Sequence, residues 1–232
     1  MNFTDRIIVL LRQNFREADR IVCIYSLEHG RMALRLPGVN KSVSKLKAIS
    51  EPFAKSSARI YIRRNASVGC ITGGKLESVY PNIRADFKKM RAALYFCELF
   101  YRLTADGAPN EQKFLFLEES LNQLERSYLN SAFAPAFLLR FMQLSGYGLK
   151  NMPVLDIDEN FWDMMHNLPM GELNFTTERD RDNLNKSKYV CRRFLNKYLQ
   201  YPLNTISELE LAYPFISKEE TLMETALESA VV

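Results

Sequence analysis

Acidic residues and histidines are the first candidates for catalytic chemistry in this sequence. Asp156, Asp158 and Glu159 lie close together, as a divalent metal or an acid–base pair would need, but no glycine follows at the position that a calcium loop requires. His29 and His166 stand apart from any set of partner residues. No segment combines a nucleophile with a base and an oxyanion donor. We therefore expect a binding protein rather than an enzyme, with a solvated loop at the acidic residues.

The cysteines could hold a metal only if their spacing brought them together. Cys23, Cys70, Cys97 and Cys191 include no Cys-x-x-Cys pair, and neither histidine is close to two of them. A structural zinc site needs clustered soft ligands. We predict no metal, no cofactor and four reduced cysteines that pack as small core residues.

Cations beside an aromatic residue give a stronger chemical signal. Ile60 and Ile62 alternate with Arg59, Tyr61 and Arg63, so the basic and aromatic side chains share one face of a strand. Such a face suits single-stranded nucleic acid, because the cations follow the phosphates and the ring stacks on a base. The alternative is a solvated sheet face on which Tyr61 packs against arginine stems.

The charge is divided unevenly along the chain. Residues 1–80 hold 14 Lys and Arg against 6 Asp and Glu, whereas residues 81–232 hold 17 against 21. A basic module attracts a polyanion because neutralised phosphates release their counterions, although a basic surface without a partner would have the same composition. The side chains predicted to face DNA are Arg12, Arg31, Arg35, Lys41, Lys45, Lys47, Arg59, Tyr61, Arg63 and Arg64.

Five short strands must position these cations. Alternating and β-branched apolar residues predict strands over residues 6–12, 19–27, 31–36, 58–64 and 68–76, with a loop rich in Ser and Lys after Pro37 and Gly38. This many strands without room for crossover helices favours a small barrel of the oligonucleotide-binding (OB) type.

The rest of the chain follows a helical period. We predict a helix from residue 82 that ends before Gly107, a second from about residue 110, a third over about 135–146 and a fourth over about 177–201. Residues 147–175 are expected to be irregular, and a short last helix is expected around 205–213. The predicted fold is α+β, with a five-stranded OB barrel over residues 1–80 and an α-helical bundle over 81–232.

The sequence also predicts a cytoplasmic protein without a membrane partner. The longest apolar run, residues 92–97, is far shorter than the roughly 18 residues that a bilayer span needs. Asp5 and Arg6 stand where a signal peptide would need apolar residues.

Nine short motifs follow one another through residues 6–148. They are IVL (8–10), EADRIV (17–22), EHGR (28–31), EPF (51–53), LESVYP (76–81), IRAD (83–86), YFCELFYRL (95–103), FLLR (137–140) and GYG (146–148). In this order the motifs resemble the RecO family of bacterial DNA repair and recombination mediators, and the similarity is weak from residue 149 onward.

The resemblance implies an OB fold followed by helices, and a protein that catalyses no reaction. It also implies a location in the cytoplasm, in association with the nucleoid. Members bind single- and double-stranded DNA, anneal complementary strands and bind RecR. With their partners, which include RecF, they help load RecA onto strands coated by single-stranded DNA-binding protein (SSB). In some members the acidic SSB tail docks on the helical domain. The predicted contacts for this tail are Leu99, Tyr101, Arg102 and Arg140. The alternative for Leu99, a position in the core, is favoured by its helix, which is apolar on nearly all sides.

The chain departs from the family pattern in two places. Many relatives carry a four-cysteine zinc loop after the GYG motif, but residues 149–175 contain no cysteine, so the chain resembles the zinc-free members. The usual basic run after the third strand is replaced by LPGVNK at residues 36–41, which leaves the path of DNA over this loop open.

A function of another class stays open. A protein-interaction adaptor with a basic OB-like module would share the fold but would bind no oligonucleotide in a salt-dependent manner.

Overall fold

Five strands form a closed barrel at the N-terminal end of the chain. The computed structural model describes residues 1–64, 68–147, 157–173 and 175–205. The strands are β1 (Asn2–Phe15), β2 (Asp19–Ser26), β3 (Gly30–Leu36), β4 (Lys55–Tyr61) and β5 (Gly69–Ser78), and they close in the order β1-β2-β3-β5-β4. All pairs are antiparallel except the short contact between β3 and β5. This arrangement confirms the predicted OB-like barrel.

The helices follow directly after the barrel. They are α1 (Pro81–Ala85), α2 (Phe87–Leu103), α3 (Glu111–Arg126), α4 (Phe133–Leu144), α5 (Glu159–Asn167) and α6 (Glu178–Tyr198), and together with the barrel they make the predicted α+β fold. No helix among the described residues is both long and apolar enough to cross a bilayer.

Three helix predictions need correction. The first predicted helix is two helices, because the Asp86 carboxylate accepts hydrogen bonds from the backbone N–H groups of Lys88 and Lys89 and so starts α2. The third begins at Phe133, two residues before Pro135. Residues 147–175 are not simply irregular, since α5 and a 3-10 turn at Met170–Glu172 lie there. The predicted helix around 205–213 lies outside the described residues.

The barrel interior is a small apolar core that alternates with the outer surface along each strand. Val39 and Leu46 of the long loop after β3 pack against this core and close one end of the barrel. The remaining interior side chains are Ile7, Val9, Val22, Ile24, Leu34, Leu36, Ala58, Ile60 and Ile71.

The helices form a second core that includes part of the barrel. Ile8 and Leu10 on the outer side of β1 are buried against the helices, as are Tyr25 and Phe53. The ring of Tyr25 meets Phe100 of α2 edge-on at 5.2 Å. β1 is thus buried on both sides, and the barrel and the helices share one apolar cluster. The predicted division into domains at residue 80 stays a prediction.

Candidate nucleic-acid interface

The strand registers bring side chains from four strands to one level of the barrel surface. Arg35 on β3 pairs with both Ile21 on β2 and Cys70 on β5, and Cys70 pairs in turn with Tyr61 on β4. Paired residues point to the same side of a sheet. The row Ile21–Arg35–Cys70–Tyr61 therefore joins the arginines predicted on the third strand to the aromatic stripe predicted on the fourth.

An open groove of about 480 Å³ crosses the outer face of β1, β2 and β3. Its floor is apolar, and Leu11 in this floor is 46% exposed. Burial raises the pKa of the Cys23 thiol to about 11, so this thiol adds no charge to the apolar floor, and the charged lining residues are Arg31 and Asp106. An apolar floor of this kind suits the flat faces of unpaired bases. The groove is lined by Leu11, Gln13, Ile21, Cys23, Arg31, Met32, Ala33, Leu34, Ile62, Gly69, Tyr101, Asp106 and Gly107.

The end of this face at the β1–β2 turn carries a cluster of two arginines around an aromatic ring. The guanidinium carbons of Arg16 and Arg35 lie 5.2 and 5.7 Å from the centroid of the Phe15 ring. Arg16 and Phe15 are exposed. Neither residue is among those predicted from the sequence, although an adjacent Phe and Arg at the tip of a turn in an OB-like barrel could have indicated them.

Arg35 in this cluster is held by a buried carboxylate. The Asp19 carboxylate accepts a hydrogen bond from Arg35 Nε at 3.0 Å and one from the Gly38 backbone N–H at 2.7 Å. The Gly38 N–H and then Arg35 lower the pKa of Asp19. The ion pair holds Arg35 beside Phe15, and the Asp19 carboxylate partly neutralises the positive charge of the Arg35 guanidinium.

The predicted stripe on β4 lies on the outer surface, as its alternation indicates. Tyr61 is 42% exposed, and Ile60 beside it is buried in the barrel. The guanidinium of Arg59 lies on β5 over Gly73, where a Cβ atom would come within 2.7 Å of it. A glycine at this position therefore lets the arginine lie flat against the strand. β4 ends at Tyr61, so Arg63 and Arg64 stand beyond it and are exposed in the connection to β5.

The loop over residues 37–51 has Val39 and Leu46 packed against the barrel core and its lysines on the outer side. Asn40 N donates to the Ala18 carbonyl at 2.9 Å, which joins the loop to the β1–β2 turn. Lys41, Lys45 and Lys47 are exposed on the outer side. They stand at the same end of the barrel as Arg16.

Ion pairs divide the predicted cations into two groups. Arg12 bonds Glu51 at 2.7 Å, Arg35 bonds Asp19, and Arg31 bonds Asp106 at 2.6 Å and the Tyr101 carbonyl. These arginines offer less charge to a phosphate than an unpaired cation does. Within the described part of the chain, the exposed barrel cations without a carboxylate partner are Arg16, Lys41, Lys45, Lys47, Arg59, Arg63, Arg64 and Lys75.

The residues predicted to bind an SSB tail do not form one exposed site. Leu99 is 0% exposed in the helical core, which agrees with the alternative of a core position and leaves it no surface for a contact. Arg140 donates to the carbonyl oxygens of Met165, at 2.8 Å, and Leu168, and burial lowers the pKa of its guanidinium to about 10. It therefore holds the end of α5 against α4.

Of the other two predicted tail contacts, Tyr101 lines the groove and Arg102 does not. Arg102 donates to the Pro202 carbonyl at 3.1 Å. Tyr101 is 37% exposed, and the guanidinium carbon of Arg31 lies 5.4 Å from its ring centroid. The wall between groove and helices is thus built from Tyr101 and Arg31.

His29, which stands apart from partner residues in the sequence, has close partners in the fold. The buried Asp5 carboxylate accepts hydrogen bonds from the Ser26 hydroxyl and from the Glu28 backbone N–H at 3.3 Å, and its Oδ2 lies 2.9 Å from His29 Nδ1. Asp5, Glu28 and His29 could offer ligand atoms within 4.8 Å of one another. The contacts they make fix the β2–β3 turn.

The acidic residues near 158 are used in local structure. Asp158 caps α5 through the Asn160 backbone N–H and pairs with Arg179 at 2.6 Å. Asp156 lies outside the described residues.

Comparison with known protein families identifies the chain. The family model described as Recombination protein O N terminal matches residues 1–80, and the one described as Recombination protein O C terminal matches residues 84–151. The chain belongs to the RecO family. The two matches meet where β5 ends and α1 begins.

Three relatives from the RecO family carry the name DNA repair protein RecO. The chain is 30% identical to that of Geobacter metallireducens over 140 residues, 60% of this chain and 57% of the relative. It is 31% identical to that of Syntrophomonas wolfei over 156 residues, 67% and 60% of the two chains, and 32% identical to that of Bacillus subtilis over 117 residues, 50% and 45%. The chain thus spans less than two thirds of the length of these relatives.

Proposed function

We propose that this chain binds single- and double-stranded DNA on the outer surface of its barrel and serves in DNA repair and homologous recombination without catalysing a reaction. The observation that carries the proposal is the set of exposed cations without a carboxylate partner beside the groove with the apolar floor. In a RecO-family chain this combination supports a polynucleotide ligand more than it supports a solvated surface.

Binding of this kind would also promote annealing. The cations would neutralise phosphates on two complementary strands, and this lowers the repulsion that opposes their approach. Contacts would be mainly to the backbone, with bases on the groove floor and on Tyr61, so little sequence preference is expected.

The proposed partners are those that the family resemblance implies. RecR, RecF and RecA would act with this chain on SSB-coated strands. The proposed location is the cytoplasm, in association with the nucleoid. The helical part would serve as their docking region. Of the predicted SSB-tail contacts Tyr101 is exposed and Arg102 beside it is partly buried.

A triple charge reversal tests the DNA surface. Arg59→Glu, Arg63→Glu and Lys45→Glu together should weaken binding of a labelled dT oligonucleotide about tenfold or more, because they remove and oppose phosphate contacts. The same change in net charge placed on the helices, Arg126→Glu, Arg193→Glu and Lys197→Glu, is the matched control and should have a much smaller effect. Fluorescence anisotropy and strand-annealing rates are the measurements.

Salt dependence separates DNA binding from the adaptor alternative. Neutralisation of about six phosphates on a single strand gives a slope of about −4 in log K against log salt. The barrel variant should show a shallower slope than the unchanged protein. Equal affinity and equal slope in the barrel variant would refute this placement of the surface, and salt-independent or absent binding by the unchanged protein would favour the adaptor.

A further inference from the structure

The β2–β3 turn brings three metal-ligating side chains together at the edge of the barrel. Asp5 lies on β1, 23 and 24 residues before Glu28 and His29, so the spacing of the three in the sequence gives no metal-site signal. In the fold, one ligand atom from each of the three side chains lies within 4.8 Å of the other two. Two carboxylates and one imidazole form a ligand set that suits Zn²⁺, with a fourth position left for water.

The Asp5 carboxylate is the observation that points to a cation. Its side chain is 0% exposed. Its Oδ2 atom is contacted by the Ser26 hydroxyl, the Glu28 backbone N–H and His29 Nδ1, whereas its buried Oδ1 atom has no hydrogen-bond partner among the described residues. A buried carboxylate oxygen without a donor or a cation is destabilising. An ion bound by Oδ1 would remove this cost, and it would lie close to His29 because both oxygens belong to one carboxylate.

The ring of His29 is already held beside this carboxylate. It stacks on Phe3 with the two ring centroids 4.1 Å apart, and the His29 backbone N–H donates to the Ser26 hydroxyl at 3.0 Å. His29 Nδ1 lies 2.9 Å from Asp5 Oδ2. Two ligand atoms of a tetrahedral Zn²⁺ ion stand about 3.3 Å apart when its bonds are about 2.0 Å long. Ring and carboxylate therefore stand about as close together as two ligands of one ion.

Glu28 can complete the set from the solvent side. Its side chain is exposed, so it is free to rotate towards an ion and leaves a path from solvent. The turn continues into Gly30 and Arg31, which contact the loop between α2 and α3. An ion at this position would therefore join β1 to the turn that supports the wall of the groove.

We propose that Asp5, Glu28 and His29 bind one Zn²⁺ ion, with water as the fourth ligand, and that this ion stabilises the β2–β3 turn against β1. The binding free energy of such an ion adds to the stability of the folded protein. The site does not rest on the proposed DNA function, because none of its three ligands lines the groove or belongs to the cations of the DNA surface.

Calorimetric titration of the metal-free, full-length protein without an affinity tag tests the site. In the presence of a reducing agent, ZnCl₂ should bind one ion per molecule, and MgCl₂ should bind far more weakly because imidazole suits Zn²⁺ better than Mg²⁺. Glu28→Gln and His29→Asn should each weaken the binding of Zn²⁺ about tenfold or more, since each removes one ligand. The control is His166→Asn, at the other histidine of the chain, which should keep the affinity of the unchanged protein.

Urea unfolding and Co²⁺ substitution give independent measurements. Excess Zn²⁺ should raise the urea midpoint of the unchanged protein and of His166→Asn, but not that of His29→Asn. Bound Co²⁺ should show no thiolate-to-metal absorption, because none of the cysteines is a ligand. If His29→Asn does not fold, Glu28→Gln still tests the site, since the Glu28 side chain is exposed.

Four results would overturn the proposal. They are the absence of Zn²⁺ binding, equal Zn²⁺ affinity in Glu28→Gln and the unchanged protein, thiolate absorption in the Co²⁺ form, and Mg²⁺ binding as tight as that of Zn²⁺.

Discussion

Asp19 sets how much charge Arg35 presents at the β1–β2 end of the barrel. Its carboxylate holds Arg35 and also accepts the Gly38 N–H, so one residue orders both a candidate DNA contact and the start of the long loop. A negative group in a surface that binds phosphates reduces affinity. Asp19 therefore stabilises the local structure around Arg35 and Gly38 and lowers the affinity of this surface for DNA.

Asp19→Asn should raise oligonucleotide affinity and lower stability. Because the folded protein lowers the pKa of Asp19, the stability that its ionised form contributes is fully present above the ordinary value of 3.8 and is lost as the pH falls through the lower folded value. The advantage of the unchanged protein over the variant should thus be present at pH 7 and shrink below about pH 4. Urea unfolding at several pH values measures it.

Glu17→Gln is the control for this prediction, since Glu17 is an exposed neighbouring acid of the same turn. It should change the free energy of unfolding little both at pH 7 and below about pH 4. It should also raise oligonucleotide affinity less than Asp19→Asn does. A pH-independent difference between the unchanged protein and the Asp19 variant would contradict the role given to the carboxylate.

At the scale of elements, the β2–β3 turn is joined closely to the loop between α2 and α3. Gly107 N donates to the Arg31 carbonyl at 2.9 Å, and Arg31 pairs with Asp106. Gly30 has φ +70°, and a Cβ atom there would lie 2.5 Å from the carbonyl carbon of Ala108. This contact sets how close the groove wall stands to the barrel.

Two glycine substitutions separate backbone strain from this close approach. Gly30 and Gly107 both have positive φ, but a Cβ atom at Gly107 would meet nothing within 4 Å. Gly107→Ala should cost about 1–2 kcal/mol for the left-handed backbone alone. Gly30→Ala should cost a further 1–3 kcal/mol or so because backbone atoms must shift. Equal losses of unfolding free energy for the two variants would show that the loop between α2 and α3 moves away from residue 30 without a cost in stability.

At the scale of the whole molecule, the barrel and the helices depend on the same core. Ile8 and Leu10 project from the barrel into the helical cluster, and the thiol of Cys97 on α2 lies 3.7 Å from the Val9 carbonyl. Separation would expose these apolar side chains to water, at about 25 cal/mol for each Å². The two parts should therefore lose their structure together.

Unfolding should show one transition whichever part of the molecule is observed. Trp162, the only tryptophan, reports on α5 in the helical part. A variant with Tyr61→Trp and Trp162→Phe reports on the barrel. Coincident urea midpoints are expected for the two probes, whereas separated midpoints would show that the barrel and the helices unfold independently.

The sequence by itself determined the elements and the class of fold. Alternation in the third and fourth strands and the apolar periodicity of residues 83–97 are local patterns, and they place most strands, most helices and the exposed stripe of Arg59, Tyr61 and Arg63. Side-chain direction follows from position in a strand or helix, so such patterns need no knowledge of distant contacts. The missed helix α5 is short, and its two buried residues, Phe161 and Met165, give little periodic signal.

Only the tertiary structure determined which of the predicted binding residues are exposed and lack a partner within the protein. Arg31 meets Asp106 and Arg102 meets Pro202, partners that lie 75 and 100 residues away along the chain. The burial of Leu99 and the groove between strands and α2 likewise depend on how the barrel packs against the helices. A local pattern sets the direction of a side chain, but its neighbours come from distant segments. Charge and exposure at the surface were therefore decided by packing.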